Sequence, residues 1–194
     1  VWAWKEGRAR NVAQRVDRLL TLFPHEPPYF QRHGLDTVCV GHPVIESGAD
    51  RGDAEGFRQR HGLAPELPLL TVLPGSRPGE IKRLLPVFEQ AVLRIRQKHP
   101  GLVALVPTVA TVAEAVGTAL AGWSVPALLL RGPEEKYDAF AASRAALAAS
   151  GTVALELALA GLPHVVAYKL NPITVMAARR LFKKHLDRRE EAFE

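Results

Sequence analysis

The hydrophobic and polar positions of the chain follow two alternating periods. Apolar runs stand at 69–74, 102–107, 126–130, 144–149 and 164–168. They are separated by stretches in which apolar residues return every three or four positions, at 53–62, 79–98, 110–121, 134–143, 151–161 and 172–184. The first kind reads as buried strands and the second as amphipathic helices. Strands alternating with helices call for a parallel sheet covered on both faces. Upstream, "EGRARNVAQRV" has helical spacing, "DRLLTLF" reads as a buried strand, "PPYFQRHG" as a short helix ending at Gly34, and "TVCVG" as a strand. Between these halves "GHPVIESGADRGDAEG", residues 41–56, holds four glycines and a proline, the composition of a connection between domains.

One run imitates a membrane span: "AALAASGTVALELALAGLPHVVAY", residues 145–168, has Glu156 as its only formal charge. Gly151, Gly161 and Pro163 cut it into pieces too short to cross a bilayer, and Glu156 would sit near the middle, where a carboxylate is costly. Strand, loop, helix, strand is the better reading.

Composition narrows the field only slightly. With 194 residues, 47% hydrophobic and 23% charged, the chain has material for one sizeable α/β core. Its net charge of +5 permits phosphates, nucleic acid or acidic lipid without choosing among them. A lone cysteine, Cys39, and no secretory-signal pattern favour a reducing cytoplasm. The chain opens on Val1, not methionine, and closes on the charged "KKHLDRREEAFE"; it is expected to be part of a longer protein.

Two strand-to-helix junctions carry candidate chemistry. In an open parallel sheet, ligands bind beyond the carboxyl ends of the strands, where helix N-termini present free N–H groups. At "VLPGSRPGEI", Gly75 lets the backbone approach a ligand, Ser76 offers a hydroxyl and Arg77 a cationic fork for two phosphate oxygens. The plain alternative is a turn with a solvated arginine. At "AASGTVALELALAG", the small residues Ser150, Gly151 and Thr152 leave room for phosphate, and Glu156 lies about one helical turn beyond Thr152 in apolar surroundings. Such a carboxylate needs a partner. A ribose diol would serve, and so would an internal lysine, arginine or backbone N–H. No G-x-G-x-x-G, P-loop, Asp-x-Asp or His/Cys cluster occurs, so phosphate charge falls to Arg, Lys and helix ends, and no metal site is expected.

"VWAWKEGRARNVAQRVDRLLTLFPHEPPYFQRHGL", "VGHPVIE", "LPGSRPGEIKRLLPVF" and "AASGTVALELALAGLPHVVAYKLNPIT" together resemble the lipid-A-disaccharide synthases, from Val1 to about Lys184. The S-G-T-x-x-x-E junction alone would not suffice, being shared with other transferases of the two-Rossmann-domain, GT-B type. The resemblance implies a Rossmann-like parallel sheet with helices on both faces: residues 1–43 as the last part of an N-terminal domain and hinge, 44–184 as the UDP-sugar-binding domain, 185–194 as a divergent tail. It also implies the reaction. UDP-2,3-diacylglucosamine is the donor, 2,3-diacylglucosamine 1-phosphate the acceptor, and a β(1→6) link forms with release of UDP. Arg77, with Gly75 and Ser76, would meet the departing diphosphate together with Ser150, Gly151 and Thr152; Glu156 would hold the ribose. No cofactor, metal or nucleic acid is expected, and the location would be the cytoplasmic face of the inner membrane. The catalytic base is expected in an N-terminal part that this chain lacks.

Two other classes remain open on sequence: a UDP-sugar epimerase of the same architecture, and a non-catalytic nucleotide- or RNA-binding module suggested by the charge. Trp2 and Trp4 line the cleft or belong to a core. His42 touches substrate or fixes the linker. Arg8, Arg10, Arg15 and Arg18 make a basic helix facing anionic lipid or water. Asn171-Pro172 reads as a helix start. Glu80 and Lys82 lie near the diphosphate loop without an assigned role.

Overall fold

In the computed structural model, residues 6–169 are described; Trp2, Trp4, Asn171-Pro172, the helix expected at 172–184 and the tail at 185–194 lie outside them. The chain divides into two compact units, Val1–Ala49 and Asp50–Glu194.

The first unit carries α1 (Glu6–Ala13), β1 (Arg18–Thr21), α2 (Pro27–Gln31), β2 (Asp36–Cys39) and a 3-10 turn at Pro43–Glu46. The two strands pair in parallel, and Ala9, Phe30 and Leu35 form a small buried core. The strand expected to be buried at "DRLLTLF" is shorter and largely exposed: only Thr21 of β1 is buried, and Leu20 is 59% exposed. Nor do the four arginines share a helix. α1 ends at Ala13, and Arg18 opens β1, where it pairs with Asp36 at 2.6 Å. His42 accepts a hydrogen bond from the Val44 N–H at 3.1 Å and so starts the 3-10 turn, the linker-fixing role.

The second unit alternates α3 (Ala54–Arg60), β3 (Leu69–Leu73), α4 (Pro78–Lys98), β4 (Val103–Thr108), α5 (Ala110–Leu120), β5 (Ala127–Arg131), α6 (Lys136–Ala142), β6 (Ala145–Ala149), α7 (Val153–Leu159) and β7 (His164–Ala167). All the strand pairs are parallel, in the order β5-β4-β3-β6-β7. Strand side chains alternate between faces. Leu70, Val72, Ala104 and Val106 pack under α4 and α5, whereas Leu69, Leu73, Leu105, Ala146 and Ala148 pack under α3, α6 and α7. β3 is buried at every position, as a central strand covered twice must be. Its one polar side chain, Thr71, shares a 2.8 Å hydrogen bond with the Ser143 hydroxyl, which removes the cost of burying it.

The span-like run resolves into β6, α7 and β7. No helix among the described residues is long and apolar enough to cross a membrane.

Candidate functional site at the reversal of strand order

Strand order sets the site. From β3 the chain moves outward through β4 to β5, then returns to add β6 on the other side of β3, so the connections leaving β3 and β6 diverge to opposite sides. Ligands of open parallel sheets bind in the crevice that this reversal opens. Leu73 stands opposite Ala148 at the carboxyl ends of the two strands. Residues 74–77 and 150–152 follow directly, so both loops singled out in the sequence leave neighbouring strand ends.

The first loop has a tight internal geometry. Gly75 has a φ of +114°, open to glycine and strained for other residues, and a Cβ there would lie 2.6 Å from a Glu80 carboxylate oxygen. Arg77 caps α4 with Pro78 at its first position. Glu80 reaches back from the first turn: one oxygen accepts the Ser76 N–H at 3.3 Å, the other accepts from the Arg77 guanidinium at 2.9 Å. The Arg77 side chain is 79% exposed, so this pair adds little stability, and the fork is held without being covered. Sequence reasoning gave Glu80 no role, although an acid three residues after a helix cap is the signal for this backward reach.

At the second loop, Ser150 donates its N–H to Ala167, and Gly151 and Thr152 are exposed, with open space around Gly151. α7 is only seven residues long, two positions shorter at each end than its apolar spacing suggests. Glu156 is half-buried and paired internally. Lys136 donates to both carboxylate oxygens, at 3.0 and 2.9 Å, and the Tyr137 hydroxyl donates to Oε1 at 3.2 Å. The internal lysine named as an alternative partner is therefore present. Lys136 and Tyr137 were missed because nothing local marks them: they begin α6, about twenty residues before Glu156 with β6 between them in sequence.

That first turn of α6 is itself clamped. Asp138 accepts the Asp53 N–H at 2.7 Å and pairs with Arg60, while His61 lies 2.9 Å from Glu135. Gly52 packs so closely on the Tyr137 carbonyl that a Cβ there would overlap the oxygen. Asp138, followed by Glu135, pushes the Arg60 guanidinium up from an already high value. A raised cation pKa contributes stability that is lost only as pH rises through the folded value, so the Arg60 clamp gives way in strongly alkaline solution and does not switch near neutrality.

Elsewhere an open cavity of about 610 Å³ runs along α3 and the turn after it, lined by Ala54, Arg58, Leu63 and Pro65 among others. Its guanidinium is spent on the Ala64, Leu67 and Ala142 carbonyls. Among the described residues no group of His, Cys, Asp and Glu could hold a metal ion.

A doubly wound parallel sheet with its loops gathered at the strand reversal is a Rossmann-like α/β architecture. The solved structure of Anabaena Alr3699/HepE in complex with UDP-glucose shares the fold, with a TM-score of 0.50 and 15% identity, covering 84% of this chain and 49% of that one. A family model for lipid-A-disaccharide synthetase matches residues 1–187, and the chain belongs to that family. The lipid-A-disaccharide synthase of Rhodospirillum centenum is 56% identical over 183 residues, 94% of this chain and 46% of that protein. That of Paramagnetospirillum magneticum is 54% identical over 180 residues, 93% of this chain and 46% of that protein. The chain thus spans about half the length of the curated relatives it matches.

Proposed function

We propose that this chain supplies the donor-nucleotide half of a lipid-A-disaccharide synthase. The reaction moves 2,3-diacylglucosamine from UDP-2,3-diacylglucosamine to the 6-hydroxyl of 2,3-diacylglucosamine 1-phosphate, forming the β(1→6) disaccharide and UDP. The observation that carries the reading is the convergence of loops 74–77 and 150–152 at the strand reversal. Arg77, the Ser76 hydroxyl and the small residues Gly75, Ser150, Gly151 and Thr152 receive the diphosphate, whose charge grows as the glycosidic bond breaks. Glu156 accepts the ribose hydroxyls. The acceptor hydroxyl needs a base, and the resemblance places none in this chain; the acyl substrates put the work at the cytoplasmic face of the inner membrane. The division at 1–43, 44–184 and 185–194 is proposed with it, as are the absence of a cofactor and of a nucleic-acid partner.

The test is a titration of the chain with UDP while backbone amide resonances are followed. Shifts centred on residues 74–77 and 150–156, with no disaccharide made by the chain alone, are expected. A folded sample indifferent to millimolar UDP would sink the binding assignment, and disaccharide synthesis by the chain would show that the base lies within it.

A further inference from the structure

The hydrogen bonds on Glu156 can be counted against what a ribose needs. A carboxylate offers about four acceptor positions, two on each oxygen. Lys136 occupies one on each oxygen, and the Tyr137 hydroxyl takes the second on Oε1. Among the described residues one position remains open, on Oε2. A vicinal diol that donates both hydroxyls to the carboxylate needs one on each oxygen, so a resident donor must leave Oε1.

The two residents differ in how firmly they hold. Lys136 makes charge-assisted bonds at 3.0 and 2.9 Å to both oxygens, which fixes the carboxylate plane. Tyr137 contributes one neutral bond at 3.2 Å. Its ring is held independently, edge-on to Phe140 at 5.8 Å and beneath the Lys136 ammonium at 4.6 Å. Breaking the hydroxyl bond therefore leaves the ring in place. Resting on the reading of Glu156 as the ribose acceptor, we propose that the first turn of α6 tunes this carboxylate for a vicinal diol through neighbours of opposite effect. Lys136 is a positioning residue that orients the carboxylate, and Tyr137 is the resident donor that one ribose hydroxyl replaces. A sugar with a single hydroxyl at this point uses the open position on Oε2 and leaves Tyr137 undisturbed. Tyr137 thereby narrows the preference for ribose over deoxyribose, and Lys136 supports both.

UDP, 2′-deoxy-UDP and inorganic diphosphate, titrated into the chain and its variants, test the assignment. Tyr137→Phe should bind UDP roughly three- to tenfold more tightly, the scale of one neutral hydrogen bond, with 2′-deoxy-UDP and diphosphate unchanged. Lys136→Met should weaken UDP and 2′-deoxy-UDP about tenfold or more and leave diphosphate unchanged, with Lys136→Arg restoring most of the loss. Unchanged or weaker UDP binding by Tyr137→Phe, or unchanged UDP binding by Lys136→Met, overturns the proposal. In either case the role of Glu156 stands if Glu156→Gln still loses UDP while keeping diphosphate. If Glu156→Gln weakens UDP and diphosphate alike, the ribose reading falls and this proposal falls with it.

Discussion

Leu73 and Ala148 face each other in register across β3 and β6, and the backbone leaves both strands within four residues to form the loops that carry Arg77 and Thr152. Segments far apart in sequence thus meet at one crevice, which is why a single anion can be assigned to both.

Arg77 is the first residue to test. In a chimera where this chain replaces the corresponding half of the Rhodospirillum centenum relative, Arg77→Ala should lower the transfer rate by the equivalent of about 2–4 kcal/mol, the scale for losing one charge-stabilising donor. Arg77→Lys should recover little, because an ammonium cannot reproduce a two-pronged contact. Near-normal turnover of the alanine variant would remove Arg77 from the reaction.

Glu156→Gln separates ribose from phosphate. UDP binding should weaken while inorganic diphosphate binds as before, since the amide oxygen cannot replace the lost charged acceptor and the diphosphate loops are untouched. Competition of both ligands against a labelled nucleotide measures the two affinities side by side.

Glu80 holds the Ser76 N–H and Arg77, yet its charge opposes any diphosphate bound there. Glu80→Gln keeps an acceptor for the Ser76 N–H and removes the repulsion, so diphosphate should bind at least a few-fold more tightly, since unit charges about 4 Å apart interact by roughly 1 kcal/mol even in bulk water. Calorimetric titration with inorganic diphosphate decides it, and weaker binding would mean that Glu80 matters chiefly by aiming Arg77.

Gly52→Ala drives a methyl group into the Tyr137 carbonyl and against the Ala141 side chain. Backbone must move on one side or the other, and about 1–3 kcal/mol of stability should be lost in urea unfolding. UDP affinity should fall as well, because the displaced turn is the one that holds Glu156. A variant as stable as the parent would contradict the close packing.

The strands of the second unit were legible because each is a short apolar run, followed by Pro74 at β3, Gly132 at β5 and Ser150 at β6. Helix ends were less so: α6 starts two residues later and ends one earlier than its apolar spacing suggests, and the 3-10 turn at Pro43–Glu46 lay hidden in what reads as plain connection. The exposure of β1 escaped notice since Leu19 and Leu20 look like core residues until the two-stranded sheet is seen to offer few partners. The placement of Gly75, Ser76, Arg77 and the Ser150–Thr152 loop beyond the carboxyl ends of β3 and β6 was readable from position alone. Lys136 and Tyr137 were not, because their partner is reached only through the folding of α6 beside α7.

Strand order also bears on biosynthesis. A ribosome delivers β3, β4 and β5 well before β6, so for that interval β3, whose every residue is buried in the folded sheet, shows one open edge, the kind of edge on which nascent chains stick to one another. The Leu73–Ala148 pairing closes that edge and, in the same event, brings together the two loops proposed to take the diphosphate. Nucleotide added to stalled chains should therefore protect them from aggregation only once residues through α7 have emerged.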